Sequence, residues 1–118
     1  MKNKILIATI NDDHRFLLTM LFTDAGFIVD APEDLALCSV LVEQNEYFKV
    51  ILDYDYRSKK NRLFCSYLER THKFNKSVLI QAISNDDITS KVYEQGGRVV
   101  NKPYDTDYLV NVVREMRI

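Results

Sequence analysis

Short apolar runs alternate with longer amphipathic stretches five times along this chain. Residues 4–10 (KILIATI) form a continuous, β-branched run of strand length, suited to a strand buried on both faces. Asp12 or Asp13 then caps a helix on which Leu17, Leu18, Leu21, Phe22 and Ala25 recur at helical spacing, and Gly26 stands where a left-handed residue ends it. Residues 27–30 (FIVD) read as a second strand. Pro32 opens the next helix, with Leu37, Cys38, Leu41 and Val42 inward and Glu33 and Asp34 near its positive end. Residues 49–53 (KVILD) make a third strand, and residues 61–73 a helix with Phe64, Cys65 and Leu68 on one face. Residues 77–83 (SVLIQAI) are the fourth strand. Residues 86–95 are a short helix carrying Ile88, Val92 and Tyr93, closed by Gly96 and Gly97. Residues 98–101 (RVVN) are the fifth strand. Asp105 or Thr106 caps a last helix whose Leu109, Val112, Val113 and Met116 fall at i, i+3, i+4 and i+7.

Five strand–helix units in succession predict an α/β domain: one doubly wound parallel sheet with helices on both faces, joined by right-handed crossovers. A chain of 118 residues is one domain of this kind. With 47% hydrophobic and 28% charged residues it has the composition of a folded domain, which excludes disorder. The net charge of −1 leaves no long-range basic field for nucleic acid or an anionic membrane. The longest apolar run is too short for a membrane span or a signal peptide. Cys38 and Cys65 read as reduced, buried thiols. A cytoplasmic protein is expected.

In an open parallel sheet, function collects at the carboxyl ends of the strands. The residues there are Thr9 with Ile10, Asp53, Ala82 and Lys102. A carboxylate directly after Val50, Ile51 and Leu52 suits the rim of a sheet, where it acts as nucleophile or ligand. Alone, Asp53 also reads as a loop starter and Lys102 as a solvated surface group. Lys102 leaves the last strand toward the same rim and can neutralise Asp53 or a phosphoryl group on it. Pro103 forces extended or turn geometry on Lys102 and admits a cis bond.

The order of elements, the aspartate ending the third strand and the Lys-Pro after the fifth resemble the receiver domain of bacterial two-component response regulators. The similarity runs the length of the chain. It is carried by KILI from Lys4, AGFIVDAPED (25–34), VILD (50–53) and NKPYD (101–105). The resemblance implies a flavodoxin-like strand order of 2-1-3-4-5. It also implies that Asp53 accepts a phosphoryl group from a histidine kinase while Lys102 neutralises it. A divalent ion, usually magnesium, would lie on Asp53, on an acidic pair ending the first strand, and on the main chain of Asp55.

The sequence departs from that pattern. Counting back from Gly26, the acidic pair falls on Thr9 and Ile10, a hydroxyl and a branched alkane. Each carboxylate beside a dication is worth several kcal/mol, so losing two weakens the metal by orders of magnitude. Asp53, the Asp55 main chain, Asp12 and Asp13 remain as weak ligands, and no cofactor is expected beyond weakly held magnesium. Asp12 and Asp13 also suit helix capping and the helix dipole. The switch positions, Ser/Thr on the fourth strand and an aromatic on the fifth, fall on Ala82 and Val99, with Ser84 two residues beyond the first. Tyr93 and Tyr104 are explained by packing and exposure. The basic run 57–62 reads as a solvated loop or a contact for an acidic partner.

An atypical receiver domain over residues 1–118, without an output domain, is the expected assignment. Its phosphorylation would be impaired and its signalling would run through docking of a protein, either a sensor kinase or a downstream effector. A homodimer through the fourth helix, fifth strand and fifth helix would use Lys91, Glu94, Arg98, Asp107, Asn111 and Arg114. The alternative is a working magnesium-dependent phosphoacceptor. A remoter one is a phosphatase using the Asp53-Tyr54-Asp55 pair of aspartates, although such enzymes place that motif on their first strand. No enzyme is expected: His14 and His72 fall in predicted helices without a Cys/His cluster, and no glycine-rich phosphate loop is present.

Overall fold

The computed structural model describes residues 3–115. The five apolar runs are strands β1 (Lys4–Ala8), β2 (Ile28–Asp30), β3 (Lys49–Tyr54), β4 (Ser77–Gln81) and β5 (Arg98–Asn101). All pair in parallel in the order β2-β1-β3-β4-β5. Helices α1 (Asp12–Asp24), α2 (Ala36–Gln44), α3 (Lys59–Arg70) and α4 (Asp86–Glu94) connect them, and α5 (Thr106–Glu115) follows the last strand. The doubly wound architecture and the strand order are those expected.

Side chains alternate along a strand, and here both faces are filled. Ile5, Ile7, Ile51, Val78, Ile80 and Val100 pack against Leu18 and Phe22 of α1 and against Leu109, Val110 and Val113 of α5. Residues of the opposite parity, among them Leu6, Val50, Leu52 and Leu79, meet Cys38 and Val42 of α2, Phe64 and Leu68 of α3, and Val92 of α4. Burial on both sides is why the strands read as unbroken apolar runs.

The register then lines up the rim. Ala8 lies beside Leu52, Asp53 beside Ile80, and Gln81 beside Asn101. The Lys102 amide continues the last ladder by donating to the Gln81 carbonyl at 2.8 Å. Thr9 and Lys102, one step past Ala8 and Asn101, therefore reach the same edge as Asp53. All three share the parity that faces α1 and α5.

Several boundaries differ from expectation. Helix α1 is capped by Asn11, whose Oδ1 accepts from the His14 amide at 2.8 Å, so Asp12 and Asp13 are first-turn residues instead. Helix α2 begins at Ala36, because Asp34 accepts the Ala36 amide at 2.9 Å and Pro32 stays in the loop. Cys38 and Val42 set its buried phase, which leaves Leu37 51% exposed. On α1 the same effect leaves Leu17 exposed. Helix α3 starts under a Ser58 cap and ends at Arg70; a 3-10 turn, Lys73–Lys76, follows. His72 takes up the left-handed conformation between them, with φ 57°, and is not helical. Strand β4 stops at Gln81, and Ile83 is exposed. Asp105, not Thr106, caps α5 by accepting the Asp107 and Tyr108 amides. Met116 lies outside the described residues.

Cys38 and Cys65 are free and buried. Burial pushes both thiols up to about 12, with the Asp34 and Glu69 charges adding to it, so neither is a thiolate near neutral pH. Among the described residues no helix is long and apolar enough to cross a membrane.

Gly97 is required by close approach. A Cβ there would stand 2.4 Å from the Phe74 carbonyl oxygen and 2.6 Å from Val92 Cγ1. Backbone cannot yield as a side-chain tip can, so Gly97→Ala is expected to cost about 3 kcal/mol in urea unfolding, the upper range for overpacking. Gly26→Ala, with φ +96° but open space around it, is expected to cost about 1–2 kcal/mol.

Candidate functional site

Asp53 is 5% exposed at the carboxyl end of β3, and three side chains converge on its carboxylate. Lys102 Nζ stands 2.9 Å from Oδ1. Thr9 Oγ1 donates to Oδ2 at 2.8 Å, and His14 Nδ1 lies 2.7 Å from the same oxygen. On its far side the imidazole meets Tyr104, with 2.7 Å between Nε2 and the hydroxyl. The expected Asp53–Lys102 contact is therefore present. His14 and Tyr104 join it unforeseen.

The protonation pattern follows from the acid. Burial by itself raises the Asp53 pKa, but the hydrogen bonds from His14, Lys102 and Thr9 outweigh it and hold the carboxyl below its usual range. An ionised carboxylate only accepts, so His14 Nδ1 carries the proton it gives to Asp53. In the neutral ring Nε2 then accepts from the Tyr104 hydroxyl.

The chain around Asp53 is equally tied. Asn61, fully buried in the first turn of α3, donates Nδ2 to the Asp53 carbonyl at 2.8 Å and accepts the Asp55 amide on Oδ1 at 3.1 Å. The Asp55 carbonyl accepts from the Ser58 amide at 3.2 Å. The Asp55 carboxylate is gripped by Arg57 through Nε at 3.0 Å and a terminal nitrogen at 2.9 Å. That pairing keeps it ionised, below the usual carboxylate range.

The remaining expected site residues fall as follows. Asp12 points to solvent, 85% exposed, and pairs with Arg15 at 2.6 Å; Asp13 is exposed. Neither is hydrogen-bonded to Asp53, and each lies in the first turn of α1 beside its positive end. Helix α1 needs its cap at Asn11, which directs the next two side chains outward. Ile10 is 45% exposed. Val99 packs with the cluster on the α2–α3 side, away from Asp53. Pro103 follows a cis peptide bond. Ala82 and Ser84 line an open cleft of about 550 Å³ over Asp53, with Asn11, Tyr56 and Lys102 among its other walls.

A magnesium ion does not fit this donor set. Among the described residues no group of three or more His, Cys, Asp or Glu side chains is placed to hold a metal. The Asp53 carboxylate has about four lone-pair positions, and Thr9, His14 and Lys102 already occupy three. A small dication needs several free, anionic oxygens in octahedral array.

This geometry can be set beside known proteins. No protein-family model matches the sequence, and no curated protein does. Solved structures do match. The Francisella response regulator 1452 receiver domain superposes with a TM-score of 0.79 at 17% identity, over 97% of this chain and 95% of that one. The chain folds as a receiver domain. A CheY-like response-regulator receiver protein of Methanospirillum hungatei gives a TM-score of 0.81 at 13% identity, covering 98% and 93% of the two chains. The chemotaxis protein CheY4 of Vibrio cholerae gives 0.80 at 14% identity, covering 99% and 100%.

On the receiver fold, the basic groups of the α4, β5 and α5 face stay at the surface and are hydrogen-bonded or ion-paired there. Lys91 pairs with Asp87 at 3.3 Å and Glu69 at 3.6 Å, Arg98 donates to the Gly97 carbonyl, and Arg114 donates to the Ala25 carbonyl at 2.7 Å. Glu94, Asp107 and Asn111 stay exposed. The face thus carries exposed groups of both signs, Arg98 and Arg114 beside Glu94 and Asp107, flanked by exposed Tyr93 and Tyr108.

His14 was legible in principle. It lies four residues before Leu18 and eight before Phe22, on the buried stripe of α1, so the helix carries it to the rim that Asp53 occupies. Asn61 left no such signal, because a buried amide in a first turn reads as any polar surface residue.

Two measurements test the site. Asn61→Ala strands a buried carbonyl and a part-buried amide and is expected to lower stability by about 1–3 kcal/mol in urea unfolding. The Asp53 pKa is depressed on folding, so its contribution to stability is complete above the unfolded value near 3.8 and is lost as pH falls through the lower folded value. Melting followed from about pH 5 to about pH 2 should therefore show a steeper loss for the wild type than for Asp53→Asn.

Proposed function

We propose that this chain is an atypical receiver domain of two-component signalling, spanning residues 1–118, that transmits by docking a protein partner and does not depend on metal-assisted phosphorylation. One observation carries the reading: the Asp53 carboxylate is satisfied by Lys102, His14 and Thr9, and among the described residues no group of three or more metal-ligating side chains is assembled around it. Magnesium would supply charge neutralisation to an incoming phosphoryl group; here the chain's own donors neutralise the aspartate instead. The partner is a sensor kinase or a downstream effector. Unreactive, reduced thiols suit a cytoplasmic setting.

The Lys102–Asp53 pair and the open cleft above it favour a second reading, a working phosphoacceptor. A phosphatase is disfavoured by Asp55, because a general acid must hold a proton and Arg57 keeps this carboxyl ionised.

Amide spectra recorded with magnesium, and then with beryllofluoride added, decide between the first two. The docking reading predicts unchanged signals for Thr9, Asp53 and Lys102. Large metal-dependent shifts at those residues would establish the working phosphoacceptor.

A further inference from the structure

We propose that His14 is the positioning residue that closes Asp53 to divalent metal, its imidazole occupying the carboxylate oxygen Oδ2 that a cation would need; this rests on the metal-independent reading above. The missing carboxylates at Thr9 and Ile10 explain why a dication has little to hold it. They do not explain what occupies the acid in its stead, and His14 does.

The arrangement is built and not incidental. The His14 side chain is 11% exposed and that of Asp53 7%. Both ring nitrogens are engaged at 2.7 Å, one by Asp53 and one by Tyr104. Tyr104 itself packs against the cluster beneath α1 and α5, so the ring is held from two sides. The turn leading into α1 is part of the same unit. The Asn11 amide donates to Thr9 Oγ1 at 3.1 Å, Thr9 donates to Asp53, and Asn11 Oδ1 accepts the His14 amide. Leu18 and Phe22, fully buried, fix the helix that carries the imidazole.

Thr9 and His14 share Oδ2, the carboxylate oxygen turned toward the end of β1. That is the side on which a receiver-type acidic pair would stand, at Thr9 and Ile10. To bind there a dication must displace the imidazole as well as find carboxylates. Restoring a carboxylate should therefore be insufficient while His14 remains.

Ile10 is 45% exposed, so Ile10→Asp supplies that carboxylate without burying it. Manganese, whose paramagnetism broadens nearby amides, is titrated into Ile10→Asp and into Ile10→Asp/His14→Ala. The double variant is expected to bind at least about tenfold more tightly, the scale on which outer groups tune metal affinity. Equal affinity in the two variants, or no binding in either, would overturn the role of His14. The wild type titrated alongside separates the two claims. Manganese broadening at wild-type Asp53 would remove the docking reading itself, whereas a silent wild type with equal variants removes only the His14 proposal. A measurement free of any substitution is the imidazole nitrogen spectrum of the wild type. It should show a proton on Nδ1 protected from exchange. A His14 ring with its proton on Nε2, or exchanging freely, would contradict the proposal.

Discussion

A carboxylate taken out of water must be compensated where it sits, and the architecture of this molecule's rim follows from that need at Asp53. An ammonium from the end of β5, a hydroxyl from the end of β1 and an imidazole from the first turn of α1 meet on one acid. Each comes from a different segment of the chain. The acid therefore joins the central strand to the ends of β1 and β5 and to the start of α1. Because the bonds to these groups exceed the effect of burial, the carboxyl stays ionised, and an ionised acid in turn dictates which imidazole nitrogen holds the proton.

What brings these groups together is strand parity. Thr9, Asp53 and Lys102 extend the rows Ile5–Ile7, Ile51 and Val100, which belong to the core facing α1 and α5. A one-residue slip in register would send the acid to the opposite face, against α2 and α3. Both faces being apolar, that slip is opposed by the close packing of particular side chains, Ile5 and Ile7 on one face and Leu6 and Ala8 on the other. The same core that stabilises the sheet thus aims the site, and core and site cannot be varied independently.

The comparison with the receiver fold turns on how a rim aspartate is neutralised. A bound dication neutralises it reversibly and leaves its remaining oxygens open to chemistry. Side chains fixed by a helix and a core do so permanently, and they use up the acid's lone pairs. Asn61, Ser58 and Arg57 complete the same pattern one loop away, where the main chain and the carboxylate of Asp55 are already engaged.

The fold class, the parallel sheet and the shared edge of Asp53 and Lys102 were legible in the chain alone. Those depend on local periodicity and on strand ends, both of which are written in neighbouring residues. Element ends were less legible. Asn11 capped where an aspartate was expected, and Asp34 delayed α2, because a cap is chosen by backbone geometry among several competent side chains. Packing of helix over sheet brings together His14 and Tyr104, 90 positions apart, on the imidazole that meets the acid, and leaves Asp12 in solvent beside Arg15. Such contacts depend on the direction of a helix over a sheet, and no short stretch of sequence encodes that direction.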